Sequence, residues 1–158
     1  MPLKLDPLDR RILALVQRDC TLAAETIAGQ VGLSASAVQR RLKRMREDKT
    51  ILAQVAVVDP KRVGRPLTFI AAAEIERERP ELLQELRRWL DAEPAVQQVY
   101  YVTGTADLVM ILTAESVEAY DAITARLVAE NPNVRRVTTS VTLHAFKRGL
   151  FVPVGGDS

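Results

Sequence analysis

A run of cationic side chains on one predicted helix is the feature of this sequence best suited to chemistry with a polyanion. Ser34 is a good helix N-cap, because its hydroxyl can accept a hydrogen bond from a backbone N–H two or three residues on. Small residues follow it, and then five cations in seven positions: Arg40, Arg41, Lys43, Arg44 and Arg46. Small side chains let a helix start approach base edges, while long cations reach phosphates on either side. The run therefore indicates binding of double-stranded DNA in the major groove.

A basic run on a helix is more often a solvated face, so the preceding elements decide between the two interpretations. A helix is predicted over Leu3 to Arg18, with Asp6 as N-cap and Asp9 completing a weak capping box. A second helix is predicted over Thr21 to Val31, and Gly32 ends it. The basic helix keeps one apolar stripe for burial: Val38, Leu42 and Met45. This order of elements is typical of a helix-turn-helix.

The start of the basic helix is expected to lie nearest the bases, at Ser36, Ala37 and Arg40. Arg41, Lys43 and Arg44 are expected to meet phosphates, although Arg41 has an alternative pairing within the domain. The residues predicted to contact DNA are Ser34, Ser36, Ala37, Gln39, Arg40, Arg41, Lys43 and Arg44.

Charge divides the chain into a basic first part and an acidic second part. Residues 1–65 carry 13 Lys and Arg against 7 Asp and Glu, whereas residues 66–158 carry 9 against 13. No apolar run approaches a membrane span, and the first residues contain no signal-peptide core. Cys20 and His144 are single, and no phosphate loop or nucleophile elbow occurs. We therefore expect a cytoplasmic protein with no catalytic residue, no metal site and no cofactor.

The domain boundary is predicted at Asp59 to Pro66, where two prolines and a glycine break regular structure. Just before it, Ile51 to Val58 is predicted to be a strand. Because an unpaired strand edge is a liability, we expect this strand to pair with its copy in another subunit.

The second part alternates strands and helices in the order βαββαβ, which is the split ferredoxin-like arrangement. The predicted elements are a strand over Leu67 to Ile75, a helix over Pro80 to Ala92, strands over Val96 to Thr103 and Asp107 to Thr113, a helix capped by Ser116, and a strand over Val134 to Phe146. The fold class is therefore α+β, a helix-turn-helix (winged-helix-like) domain followed by a ferredoxin-like domain. The predicted segments are 1–50 for the helix-turn-helix, 51–66 for strand and linker, 67–148 for the ferredoxin-like domain and 149–158 for a tail.

Several short motifs, in this order and spacing, resemble the Lrp/AsnC family of transcriptional regulators. They are residues 5–13, residues 31–34, Arg41, residues 103–107 and Lys147. The resemblance implies a regulator that dimerises through its second domain, assembles further into tetramers or octamers, and binds an amino acid between subunits. It also implies that residues 139–142 of the last strand approach the effector pocket.

The turn at Gly104 has two interpretations. A tight turn can require glycine for its positive φ, and Asp107 can serve only to hydrogen-bond that turn. Alternatively, the turn leaves backbone groups open to an amino acid, whose ammonium would suit Asp107 and whose carboxylate would suit hydroxyls and N–H groups. The predicted effector-binding residues are Thr103, Gly104, Thr105, Ala106, Asp107, Thr139, Ser140 and Val141.

Some positions depart from the family pattern. Ala23 stands where a Ser or Thr cap is usual, for which Thr21 is a possible substitute, and Lys49 replaces the glycine after the basic helix, which predicts a differently shaped helix end. An architectural DNA-binding protein that needs no effector is the alternative function. An enzyme is disfavoured, because related siroheme decarboxylases resemble the family but use histidines, of which this chain has one.

Overall fold

The computed structural model describes residues 4–76 and 79–155. In chain order these form α1 (Pro7–Val16), α2 (Ala24–Val31), α3 (Ala35–Glu47), a short 3-10 helix (Pro60–Val63), β1 (Leu67–Ile75), α4 (Pro80–Ala92), β2 (Val96–Tyr101), β3 (Leu108–Ala114), α5 (Val117–Glu130) and β4 (Val134–Val141). Leu3, the predicted start of the first helix, and the tail positions 156–158 lie outside the described residues. None of the described helices is both long and apolar enough to cross a bilayer.

The chain divides into two compact units. The helical unit lies within Met1–Ala56 and Lys147–Ser158, and the sheet unit lies within Val57–Phe146. The helical unit is closed by apolar side chains from α1, α2 and α3, and its most deeply buried members are Ile12, Ile27, Val38 and Met45.

Helix α1 begins where the sequence predicts a cap. The Asp6 carboxylate accepts from the Asp9 N–H at 2.7 Å, and the Asp9 carboxylate accepts from the Asp6 N–H at 3.1 Å. The predicted capping box is therefore confirmed, and it satisfies two donors at the helix start.

Helix α2 begins without a side-chain cap. Ala23 is its N-cap residue, in extended backbone, and makes no capping hydrogen bond. The Thr21 hydroxyl donates to the Asp19 carboxylate at 2.6 Å and so does not replace the missing cap.

We therefore expect Ala23→Ser to raise the free energy of unfolding of the helical unit by about 1 kcal/mol, since its hydroxyl can accept from the first turn. Urea unfolding compared with wild type measures the gain. Ala145→Ser, a change at an exposed position outside the helices and strands, is the control and should leave the midpoint unchanged. An Ala23→Ser midpoint equal to that of wild type would contradict the prediction.

Two residues in the left-handed region end helices of this unit. Gly32 follows α2 with φ 74°, as predicted, and Lys49 lies after α3 with φ 64°. Lys49, which stands where the family usually has glycine, itself adopts the conformation that favours glycine. The shape is kept at a strain of about 1–2 kcal/mol, the usual cost for a residue with a Cβ.

The sheet unit contains one antiparallel sheet with strand order β2-β3-β1-β4, which confirms the predicted ferredoxin-like arrangement. Alternate residues of β1 are buried: Phe69, Ala71, Ala73 and Ile75. They pack with apolar side chains of α4 and α5, so both helices cover one face of the sheet. The rings of Phe69 and Tyr120 stack with centroids 3.9 Å apart.

The last strand is shorter than predicted, because β4 ends at Val141 instead of Phe146. The Thr142 N–H still bonds to the Thr68 carbonyl. Beyond this point only Leu67, the first residue of β1, remains on the neighbouring strand. Strand β2 likewise ends at Tyr101, two residues early.

The predicted strand over Ile51 to Val58 is absent from the described chain, where these residues form no strand. Leu52, Val55, Val57 and Val58 are each more than half exposed. A strand exists only through hydrogen bonds to a neighbouring strand, and the described residues of one chain supply none here.

Candidate nucleic-acid interface and effector site

Helix α3 presents its cations because its burial is confined to one edge. The Ser34 hydroxyl caps it by accepting from the Ala37 N–H at 3.3 Å. Three apolar side chains spaced by three or four residues face the core: Val38, Leu42 and Met45. At 100° per residue, the pole opposite this edge is occupied by Ser36, Arg40 and Lys43, all of which are exposed.

The predicted contact residues do not all lie on this exposed pole. Gln39 is exposed on one flank, together with Arg46, which was not among the predicted contacts. Ala37 is half-buried, and the Ser34 and Ser36 hydroxyls lie 3.1 Å apart. Lys43 forms a loose pair with Glu47 at 3.8 Å, in which both side chains are well exposed. Such a pair is weak enough for Lys43 to reach a phosphate.

Arg41 and Arg44 lie on the other flank and are held by α1. The Arg41 guanidinium is 2.6 Å from an Asp6 oxygen and 2.7 Å from an Asp9 oxygen. Arg44 is 2.8 Å from the second Asp9 oxygen. The Asp9 side chain is 1% exposed, while those of Arg41 and Arg44 are 21% and 47% exposed. One buried carboxylate thus binds two cations of the basic helix.

These contacts also change the acid–base properties of the cluster. The pKa of Asp6 lies below its ordinary 3.8, chiefly because the Asp9 N–H donates to it and also because Arg41 does. The pKa of Arg41 is raised by its bonds to Asp6 and then to Asp9. The stabilisation from Asp6 is therefore present above pH 3.8 and is lost as the pH falls through its lowered pKa.

The cluster bears directly on the DNA contacts. Arg41 has the internal pairing that was the alternative to phosphate contact, and Arg44 shares it while remaining half exposed. Phosphate contact by either residue stays a prediction. Sequence reasoning missed Asp9 as the residue that orients them, because its partners lie 32 and 35 positions away in the chain.

The β2–β3 hairpin carries the first group of predicted effector residues. Thr103, Gly104 and Thr105 are exposed and Ala106 is half-buried. Gly104 has φ 131°, a conformation that residues with a Cβ rarely adopt. The turn thus requires a glycine and at the same time leaves its backbone open to solvent.

Asp107 has a structural role in this hairpin. Its side chain accepts from the Ile75 N–H at 2.8 Å, and its backbone N–H donates to the Ala73 carbonyl at 2.9 Å. The register of β1 with β4 shifts between Glu74 and Ile75, and the carboxylate satisfies the N–H at that irregularity. This contact supports the turn interpretation of Asp107 without excluding a ligand.

The second group of predicted effector residues lies on both faces of β4. Thr139 pairs with Ala71 and Val141 with Phe69, so both lie on the helix-covered face, whereas Ser140 lies on the open face. The Thr139 hydroxyl is 2.5 Å from that of Tyr120. Burial raises the pKa of Tyr120, although the Thr139 hydrogen bond opposes this effect.

One chain does not bring the two groups together. Leu108, at the base of the hairpin, pairs with Ala73, which pairs with Val137 on its other side. Val141 lies four residues further along β4, which places it roughly 16 Å from Leu108 by strand spacings. The end of β4 is therefore well separated from the hairpin along the sheet of one chain.

A cleft that was not predicted opens beside the hairpin, between α4 and β2. Its volume is about 380 Å³, and it is lined mainly by apolar side chains: Leu83, Leu86, Leu90, Val99, Tyr101 and Leu108, with Arg87 and Asp91. Among the residues that the structure describes, no group of three or more His, Cys, Asp or Glu side chains could hold a metal ion.

Comparisons with known proteins account for both units. The AsnC-type helix-turn-helix domain matches residues 5–46, and the Lrp/AsnC ligand binding domain matches residues 68–150. The HTH-type transcriptional regulator y4tD of Sinorhizobium fredii is 39% identical, over 96% of this chain and 90% of the relative.

Solved structures show the same fold. An AsnC family transcriptional regulator from Agrobacterium tumefaciens has a TM-score of 0.88 at 30% identity, over 95% of this chain and 97% of the other. A transcriptional regulator of Neisseria meningitidis in complex with L-Met has a TM-score of 0.88 at 20% identity, over 96% and 97% of the two chains.

Proposed function

This chain belongs to the Lrp/AsnC family of DNA-binding transcriptional regulators, and from that premise we propose that it is a homo-oligomer whose affinity for DNA responds to an amino acid or a close derivative. It is a regulator and not an enzyme. The observation that carries the proposal is that one unit contains an exposed basic helix and the other unit contains an open glycine hairpin. Because a DNA-binding regulator must reach its DNA, we also propose that it acts in the cytoplasm.

DNA recognition is assigned to the exposed pole of α3. Ser36, Ala37 and Arg40 lie toward the helix start, which enters the major groove in helix-turn-helix proteins. Lys43 and Gln39 flank them, and Ser34 caps the helix. Arg41 is assigned mainly to holding α3 on α1, and Arg44 to phosphate contact from its half-exposed position.

Dimerisation is supported by two apolar surfaces that one chain leaves uncovered. The sheet face opposite the helices carries Ile70 and Tyr100, which are exposed. The segment 51–58 exposes four large apolar side chains and contains no strand among the described residues. A two-fold dimer would cover the sheet face and pair this segment with its copy. Further assembly to a tetramer or octamer follows from the family resemblance.

The effector site is assigned to the hairpin of one subunit and β4 of another. Backbone groups at Gly104 and the hydroxyls of Thr103 and Thr105 suit an α-carboxylate, and Asp107 suits an α-ammonium. Thr139, Ser140 and Val141 would approach from the second subunit. The Neisseria protein of the same fold was solved with L-Met, and for the present chain the amino-acid class remains our proposal.

A thermal-shift screen of the twenty amino acids, combined with light scattering, tests this function. A ligand at 100 times its Kd stabilises the protein by about 2.7 kcal/mol, which corresponds to roughly 5–10 °C for a protein of this size. We expect at least one amino acid to give such a shift, and a particle of two or more chains. A monomer at micromolar concentration would refute the assembly. DNA footprints that are identical with every amino acid would favour the architectural alternative.

Asp107→Asn separates the two roles of this residue. The amide oxygen can still accept from the Ile75 N–H, whereas the charge that would face an ammonium is lost. We expect the effector Kd to rise by about tenfold, or 1.4 kcal/mol, with DNA affinity in the absence of ligand unchanged. Calorimetry measures the Kd for the amino acid selected by the screen.

Asp107→Ala is the comparison variant, because it removes the structural hydrogen bond as well. It should lose effector binding and also lower the melting temperature. If Asp107→Asn binds the effector as wild type does, the ammonium contact lies elsewhere and Asp107 is structural only.

A further inference from the structure

The segment that follows the last strand returns to the helical unit and binds helix α1. The Gln17 side chain, at the C-terminal end of α1, donates to the Val152 carbonyl at 3.0 Å and accepts from the Val152 N–H at 2.8 Å. A single amide thus pairs with both backbone groups of one residue, as a neighbouring strand would. These partners are 135 positions apart in the sequence.

Contacts on either side of this pair extend the docked segment. The Arg10 guanidinium donates to the Val154 carbonyl at 2.5 Å. The Val154 side chain packs against the hydrophobic core of the helical unit. The Arg18 guanidinium lies 5.5 Å from the centre of the Phe151 ring, within the range of a cation–π contact. Residues 151–154 are therefore held by backbone, apolar and aromatic contacts at once.

We propose that the surface formed by Arg10 of α1 and by Gln17 and Arg18, which follow that helix, is a receptor for the chain's own C-terminal segment, 150–155. The chain enters this segment from β4 of the sheet unit, so a docked segment would add a second covalent connection between the two units besides the linker. Two ties restrict the positions that a helix-turn-helix can sample more than one tie does.

The receptor surface is next in sequence to the ion-pair cluster that orients α3, which consists of Asp6, Asp9, Arg41 and Arg44. Arg10 follows Asp9, and Asp9 binds Arg41 and Arg44 of α3. The segment therefore binds next to Asp9 of α1, the residue that holds α3. This consequence rests on the proposed function: in a dimer, the docked segments would fix the separation of the two DNA-reading helices and so the preferred spacing of operator half-sites.

Amide hydrogen exchange on the full chain tests the docking itself and requires neither DNA nor effector. We expect the Val152 N–H to be protected in wild type and to exchange at least tenfold faster in Gln17→Ala, with β1 and β4 unchanged. Gln17→Glu keeps the acceptor but loses the donor, so its exchange rate should lie between the two. Gln84→Ala, on the exposed side of α4, is the matched control and should behave as wild type.

An unprotected Val152 in wild type would overturn the proposal. Protection that disappears on dilution would place the segment on a second copy and overturn docking within the chain. The effect of the docked segments on the separation of the two α3 helices is tested separately. The test uses a palindromic operator obtained by in vitro selection and versions whose half-site spacing is changed by 2 and 5 base pairs.

In a chain truncated after Gly149, the ratio of affinities for the preferred and altered spacings should be at least tenfold smaller than in wild type. The reason is that its α3 helices are then restrained by the linker alone. An equal affinity ratio in the truncated chain and wild type would overturn this role of the segment, even if hydrogen exchange confirms the docking. If no operator can be selected, the proposed function fails while the exchange result on docking still stands. The two failures are therefore distinguishable.

Discussion

Replacing Asp9 with alanine is expected to lower the free energy of unfolding of the helical unit by about 2–4 kcal/mol, the range for removing one partner of a buried ion pair when the other partners can partly rehydrate. The Asp9 carboxylate is buried and binds two guanidinium groups as well as the Asp6 N–H. Without it, Arg41 keeps only Asp6, and Arg44 loses its partner on α1. Because α3 then loses its orientation, DNA binding should also fail.

Urea unfolding monitored by hydrogen exchange of the α1–α3 amides measures the free energy of unfolding of the helical unit separately from that of the sheet unit. Asp9→Asn keeps the shape but not the charge, and should show a smaller loss. Glu25→Ala removes an exposed carboxylate from the first turn of α2 and serves as the charge control, with an expected change within about 0.5 kcal/mol. If Asp9→Ala changes the free energy of unfolding no more than Glu25→Ala does, the Asp9 carboxylate does not hold α3.

Arg40→Ala and Lys43→Ala are expected to weaken DNA binding in different ways. Arg40 lies at the exposed pole of α3 near its start, so its loss should cost about 1–3 kcal/mol at one base pair if it reads a guanine. Specificity at that position should relax. Lys43 lies a turn further on, where a phosphate contact is expected. Its loss should weaken all sequences alike and reduce the slope of log K against log salt by about 0.9.

Titrations of a selected operator and of single-base variants, at several salt concentrations, separate the two effects. Arg88→Ala, an exposed arginine of α4 in the sheet unit, is the control for charge alone and should change neither specificity nor slope appreciably. Wild-type affinity in both α3 variants would show that another surface reads DNA.

Local physical chemistry made much of the fold predictable. Asp6, Ser34 and Ser116 cap helices at the expected places, because a cap depends on groups only two or three residues apart. Helix α4 and strand β1 have the predicted bounds, since apolar spacing reports which face of an element is buried. The order βαββαβ and the basic character of α3 likewise follow from residues that are neighbours in the chain.

Only the tertiary structure decided what depends on residues distant in sequence. Arg41 and Arg44 are both basic and both on α3, yet their pairing with Asp9 follows from how α1 packs on α3. Thr139 and Ser140 are adjacent, yet the register of β4 on β1 sends them to opposite faces. The segment 51–58 has strand composition but no partner strand among the described residues, and the C-terminal segment contacts Gln17 from 135 positions away. Periodicity and propensity carry no information about such partners, because contacts between distant segments depend on the packed arrangement of the elements.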